Sequence, residues 1–279
     1  MAAAGVVKSK ELYPAVFSRH AVEYARRLEE IMSRGEARGR MRAIELIAAR
    51  PGMRILDLAC GPGTLTRVLA AQVAPGGEVT GVDLAAGMVE LARTSAPPNT
   101  RFQVMDIEHL SFSDASFDAA ACGHGLQFAP DLVQALSEAR RVLRPGAMLA
   151  ASVPSAGIRE DVWALIDSVV DRWLPPRPVV ADNEATRAAV REGAGLEAAA
   201  VRAGFRSVRV ESIVEEVVWA SAQQLVDNFM GWWDFAYRIE GLDAERRAAF
   251  ADEALAAVRR ANPGTITTHG RTLVLAANA

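Results

Sequence analysis

Between Met53 and Val153 short apolar runs alternate with longer segments whose apolar residues recur at helical spacing. Arg54 to Leu58, Val79 to Val82, Phe102 to Met105 and Phe117 to Cys122 are largely apolar without strict polar alternation, as expected of parallel strands covered on both faces. A helix is predicted over roughly Thr64 to Val73. Ahead of this region, Glu11 to Arg50 reads as helical, with Phe17, Ala21, Tyr24, Ala25, Leu28 and Ile31 on one face and many arginines on the other; such a segment can lie across the mouth of a site. After Val153 the alternation pauses. Glu160 to Trp173 is amphipathic, Pro175 to Pro178 is a rigid spacer, and Ala185 to Ala203 is helical apart from Gly193 and Gly195. A strand over about Val208 to Trp219, a helical region from Ala222 to Ala261 and a last strand at Thr272 to Ala276 complete an α/β pattern.

The first strand breaks into Ala59-Cys60-Gly61-Pro62-Gly63 and opens directly into a helix, whose free N–H groups point back into the turn. Gly61 and Gly63 remove the Cβ atoms that would keep a ligand off the backbone. The second strand ends in Asp83, where a carboxylate can accept hydrogen bonds from both hydroxyls of a ribose. Turn and acid together imply a cofactor that contains a nucleoside. A dinucleotide site would place a third glycine three residues after the second, but Thr66 stands there, and Asp57 before the loop would repel a pyrophosphate. A cofactor with no phosphates and a cationic end suits that acid.

Asp57 to Gly63 resembles the first motif of the class I S-adenosylmethionine-dependent methyltransferases, with Ala59 where the family usually has glycine. Asp106-Ile107 falls where that family places an acid for the adenine amino group and an apolar side chain against the ring. Phe117 to Cys122 is similar to its fourth strand, Gly123 to Asp131 to the loop and helix start behind it, and Arg141-Val142-Leu143-Arg144-Pro145-Gly146-Ala147 to the segment before its fifth strand. A weaker echo lies in Gly204 to Val210. The closest resemblance is to the small-molecule enzymes that include the ubiquinone and menaquinone C-methyltransferases. It implies a Rossmann-like, seven-stranded, mostly parallel sheet with helices on both faces, N-terminal helices and a helical cap. It also implies S-adenosylmethionine, held by Asp57, Ala59, Cys60, Gly61, Gly63, Asp83, Leu84, Met88, Asp106, Ile107, Cys122 and Gly123.

With 279 residues, 51% of them hydrophobic, and a net charge of −3, the chain can bury a full α/β core and shows no overall attraction for polyanions. Nucleic acid is not an expected partner. Cys60 and Cys122 lie at predicted strand ends, and Met1 to Lys10 lacks the basic segment and long apolar run of a secretory signal, so the expected location is cytoplasmic. No apolar stretch is long enough to span a bilayer. The chain reads as a single domain over 1–279: an N-terminal helical segment at 11–50, a cofactor-binding half at 51–153, cap insertions at 154–203 and 220–263, and last strands at 204–219 and 268–278. Neither insertion is expected to form a core of its own. Trp163, Trp173, Trp219, Phe229, Met230, Trp232, Trp233, Phe235 and Tyr237 concentrate in the cap, as plain core or as the wall of a pocket for an aromatic or terpenoid-like substrate. Adjacent Trp232 and Trp233 cannot share a helix face, so one should point away from the packing surface.

Methyl transfer is an in-line displacement from a sulfonium, so rate comes from holding donor and nucleophile in contact, excluding water and, for some acceptors, removing a proton. His124, in the loop after the fourth strand, is the candidate general base; the competing reading is a loop histidine that bonds backbone or shapes the pocket. His20, Tyr24, Gln127, Phe128 and Trp232 are the candidate substrate contacts. His109 and His269 read as surface or strand-end residues. Cys122-Gly123-His124-Gly125 stands where an enzyme acting on exocyclic amines of DNA bases would need an Asp or Asn, two prolines and an aromatic residue, and no Pro-Cys nucleophile or Asp/Asn metal cluster is present. What remains is a metal-free enzyme acting on oxygen, nitrogen or carbon of a small molecule, with a homodimer left open. The alternative is a catalyst of cyclisation or rearrangement on the same fold.

Overall fold

The computed structural model describes residues 6–155, 161–262 and 264–279. Seven strands form one sheet: β1 (Arg54–Leu58), β2 (Glu78–Asp83), β3 (Thr100–Val104), β4 (Phe117–Gly123), β5 (Leu143–Pro154), β6 (Arg206–Trp219) and β7 (Ile266–Asn278). Their order is β3-β2-β1-β4-β5-β7-β6. The first five run parallel, and β7 inserts antiparallel between β5 and β6. The order reverses direction at β1, so the crevice beyond its C-terminal end is where a ligand belongs.

Helices cover both faces, which explains why the parallel strands do not alternate. Leu56 and Leu58 pack with α6 (Leu132–Val142) and α9 (Gly193–Arg202) on one face. Ile55, next to Leu56 in sequence, faces α3 (Arg38–Ile47) and α4 (Thr64–Val73) on the other. Each side chain so buried contributes on the order of 1.5–3 kcal/mol, which fixes the register, because a slip of one residue would exchange the two faces.

The N-terminal helical region is three helices, α1 (Ser9–Arg19), α2 (Ala21–Ser33) and α3, broken at His20 and again at Arg34 to Ala37. Val6 and Val7 pair in parallel with Val179 and Val180 of the first cap insertion. Ser9 tightens this junction: its amide donates to Asp182 Oδ1 at 3.0 Å and its hydroxyl to Asp182 Oδ2 at 3.1 Å.

The cap differs from expectation in one respect. The two insertions pool their apolar faces into a core of their own, built from α7 (Asp161–Trp173), α10 (Ala222–Phe229), α11 (Trp233–Ile239) and α12 (Ala244–Ala261), with Phe229 and Phe250 fully buried. Segments that could not bury a face singly do so against each other. The helical stretch read over Ala185 to Ala203 is likewise two helices, α8 (Glu184–Ala189) and α9. α5 (Ala86–Thr94) follows β2 and packs Val89 and Ala92 on Phe102. Glu160, at the start of the helix read from the sequence, and Pro263, at the end of the second insertion, lie outside the described residues.

Candidate functional site

Three residues of the turn after β1 take left-handed backbone conformations: Ala59 (φ +52°), Gly61 (φ +54°) and Gly63 (φ +79°). The alanine that departs from the family pattern therefore carries strain of roughly 1–2 kcal/mol. Its methyl group is accommodated because position 125 is glycine; a Cβ there would lie 2.4 Å from that of Ala59. Gly63 is a packing glycine, since a Cβ on it would lie 2.8 Å from the Phe102 ring. Gly61 is different: the nearest atom to its absent Cβ is Cε1 of Tyr24, at 4.0 Å, leaving a cradle that a ligand can fill.

Asp83 organises the other rim. Its Oδ2 accepts from the Gly61 amide and its Oδ1 from the Ala85 amide, both at 2.8 Å. Burial raises its pKa, and these backbone donors work against that rise. The carboxylate thus shapes the turn as well as presenting acceptor capacity to the cavity. Asp83→Ala is expected to weaken binding of S-adenosylmethionine roughly tenfold to a hundredfold and to cost about 1–3 kcal/mol of stability through the orphaned amides. Calorimetry and urea unfolding measure the two effects separately. Unchanged affinity in a folded variant would remove Asp83 from the site.

The cavity between turn and N-terminal helices measures about 750 Å³ and is bordered by Ala59, Gly61, Asp83, Leu84, Met88, Asp106, Ile107 and Gly123 at one end, with Tyr24, His124 and Phe128 also in its wall. A smaller lobe of about 260 Å³, sharing Tyr24, Ala59, Gly61 and Gly123, reaches Asp57 and Cys60. Asp57 is buried, its Oδ2 accepts from Thr66 Oγ1 at 2.6 Å, and its Oδ1 has no hydrogen-bond partner among the described residues. Burial pushes its pKa up to about 7. An unpartnered carboxylate oxygen suits a cationic ligand, whose arrival would favour the ionised form. Cradle, rim acid and orphaned oxygen together fit S-adenosylmethionine, which joins an adenosine to a cationic amino acid end.

Some sequence-derived candidates fall elsewhere. Cys122 is fully buried and borders neither lobe. His20 lies outside the cavity, with its Nε2 2.6 Å from Glu240 Oε1. Gln127 turns its amide back to donate to the His124 carbonyl at 2.7 Å. Trp232 is 42% exposed and packs against Trp163 with ring centroids 5.1 Å apart. Its neighbour Trp233 is the one that turns inward, meeting Tyr13 at 4.9 Å behind the cavity wall. Of the adjacent pair, Trp232 is the one that points away, because α11 begins at Trp233 and Trp232 precedes it as the cap residue.

Sequence reasoning also missed much of α1. Lys10, Tyr13, Pro14 and Phe17 line the cavity, with Phe17 and Phe128 in edge contact at 5.2 Å. Aromatic residues at spacing i, i+4 were the available signal. Lys10 Nζ lies 2.6 Å from Asp106 Oδ2 and 2.5 Å from Glu108 Oε2, so the acid assigned to adenine already holds a cation from α1. Lys10→Met should cost about 1–3 kcal/mol in urea unfolding, because the buried Glu108 would lose its counter-charge; adding Glu108→Gln should recover part of that loss. The partial exposure of Lys10 favours the lower end of the range.

His124 has φ +60°, and its amide donates to the Ser152 carbonyl at 2.9 Å. Its Nε2 is buried without a hydrogen-bond partner among the described residues. Burial, reinforced by the positive charge of Arg40, holds its pKa well below the ordinary 6.5, so the ring is neutral at pH 7 with an available lone pair.

The methyltransferase domain family matches residues 55–146. A demethylmenaquinone methyltransferase of Staphylococcus aureus is 36% identical over 163 residues, covering 56% of this chain and 67% of that protein. An uncharacterised 37.1 kDa protein of transposon TN4556 in Streptomyces fradiae is 45% identical over 113 residues; the match spans 40% of this chain and only 33% of that protein. Among solved structures, a chain from the complex of the Haloferax volcanii Trm112 methyltransferase activator with a methyltransferase superposes with a TM-score of 0.58 at 20% identity, covering 94% of this chain and 97% of its own. The [4+2]-cyclase SpnF superposes with a TM-score of 0.52 at 21% identity, over 87% and 80%. At such identities these two structures speak to the fold alone. Two thirds of the staphylococcal protein matches at over one third identity, and the motifs coincide with the cavity: the chain belongs to the class I S-adenosylmethionine-dependent methyltransferases.

Proposed function

We propose that this methyltransferase acts on a small molecule with a ring or another flat apolar body, and that His124 removes or positions a proton on the acceptor atom. One observation carries the reading: the cavity that Asp83 and Asp106 border is also walled by Tyr13, Phe17, Phe128 and His124, a largely apolar face against which a flat ligand can lie. The name of the staphylococcal relatives supports an acceptor of quinone type.

S-adenosylmethionine, when bound, supplies an electrophilic methyl group. The chain supplies placement. Asp83 and Asp106 fix the nucleoside end, Asp57 attracts the cationic end, and the Gly61 cradle permits close backbone approach. Tyr24, Phe17 and Phe128 exclude water, which raises the effective concentration of the acceptor against its partner. The neutral Nε2 of His124 can take a proton from a hydroxyl, an amine or an enolisable carbon. The single-domain organisation, with the cap as substrate cover, belongs to the same proposal.

Incubating the protein with methyl-labelled cofactor and a panel of phenols, quinols, amines and enolisable ketones, followed by mass spectrometry, tests this reading. Labelled product together with S-adenosylhomocysteine supports it. An isomerised or cyclised product of unchanged mass, with the cofactor intact, would establish the alternative.

A further inference from the structure

Four residues border both lobes of the cavity: Tyr24, Ala59, Gly61 and Gly123. Asp83 and Asp106 border only the larger lobe, and Asp57 only the smaller. With the nucleoside at Asp83 and Asp106 and the amino acid end at Asp57, the sulfur has to lie at the junction, because it is bonded to the ribose on one side and to the amino acid chain on the other. Three of the four junction residues offer only backbone or a methyl group. Tyr24 alone brings a larger side chain, and its Cε1 is the nearest atom to the absent Cβ of Gly61, at 4.0 Å.

The ring is held there from several sides. Tyr24 stands in the first turn of α2, its amide donating to the His20 carbonyl at 2.9 Å. The end of α1 just before it is pinned to α5: the Gly87 amide donates to Ser18 Oγ at 3.1 Å, and a Cβ on Gly87 would lie 2.7 Å from the Ser18 carbonyl oxygen. The ring meets Phe17 edge to face with centroids 5.6 Å apart, and packs on the cluster of Ala21, Ala85 and Met88. These contacts fix the ring over the turn without calling on its hydroxyl.

We propose that Tyr24 packs the face of its ring on the sulfonium and thereby favours S-adenosylmethionine over its demethylated product, S-adenosylhomocysteine. This rests on the cofactor lying across the two lobes as described above. The two molecules share the adenine, the ribose hydroxyls and the amino acid ammonium, which are the parts that Asp106, Asp83 and Asp57 meet. They differ in the methyl group and in the charge on sulfur. The negative face of an aromatic ring attracts a cation beside it and offers nothing comparable to a neutral thioether. The spent cofactor is therefore held less tightly, relative to the fresh one, than it would be without the ring.

Calorimetry on the full chain with each of the two ligands reads the ratio of their dissociation constants. Tyr24→Leu should weaken S-adenosylmethionine roughly threefold to thirtyfold more than S-adenosylhomocysteine, whereas Tyr24→Phe, which keeps the ring, should hold the wild-type ratio. A second measurement needs no variant: the S-methyl signal of S-adenosylmethionine labelled with carbon-13 should move upfield on binding to the wild-type protein, as a methyl group beside an aromatic face does, and the shift should shrink in Tyr24→Leu. Equal weakening of both ligands in folded Tyr24→Leu protein would reduce the ring to packing and overturns the proposal. So does a Tyr24→Phe protein that loses the preference, since the hydroxyl would then carry it, and so does a bound methyl signal that is unshifted or displaced downfield. If neither ligand binds the wild-type protein, the cofactor placement itself fails, and this inference with it.

Discussion

Gly61→Val is expected to raise the dissociation constant for S-adenosylmethionine at least a hundredfold while leaving the protein folded. Apart from its chain neighbours, no atom of the described residues lies closer than 4.0 Å to where its Cβ would stand, so the branched side chain would intrude on the cavity rather than on the core. A hundredfold loss corresponds to about 2.7 kcal/mol, a modest demand when a side chain occupies ligand volume. The φ of +54° adds roughly 1–2 kcal/mol of backbone strain for a β-branched residue, visible as a lower urea midpoint without loss of the folded circular dichroism signal. Gly63→Val serves as the contrast: its Cβ would press on Phe102 and Ala92 within the core, so that variant should lose stability first. Normal cofactor affinity in folded Gly61→Val protein, measured by calorimetry, would place the cofactor elsewhere.

His124→Ala should lower kcat about a hundredfold or more and leave cofactor affinity nearly unchanged, as expected when a base acting on the acceptor is removed. His124→Gln separates two roles, because an amide holds a hydrogen bond but takes no proton. The pH profile carries the sharper test. Because the pKa of the folded protein lies below 6.5, the basic form is already dominant at neutrality, and the wild-type rate should be flat through pH 7 with respect to this group and fall only in acid. The sign for stability is parallel. The unfolded chain takes up a proton at this position before the folded one does, so the contribution of neutral His124 is present above the unfolded pKa and is lost as pH falls below it. Both variants retaining most activity, with an unaltered acid limb, would reduce His124 to a wall residue.

The sequence by itself carried the sheet and the ligand turn. Both are written locally: the apolar runs of β1, β2 and β4 record burial on two faces, and Asp57, Gly61 and Asp83 lie within or at the ends of elements whose spacing the chain fixes. Helix boundaries were less legible, since His20 interrupts a long periodic stretch without a proline or a capping glycine, and Gly231 is the one breaker between α10 and α11. The pooled core of the cap, the inward turn of Trp233 in place of Trp232, the grip of Lys10 on Asp106 and the unpartnered Nε2 of His124 were decided only by the tertiary structure. Each joins residues from separate elements, and amphipathic periodicity states which face of a helix is buried without stating against what. Charge follows the same rule. An arginine in a helix full of arginines reads as surface, and only the tertiary structure shows that Arg40 keeps its Nε buried without a hydrogen-bond partner among the described residues.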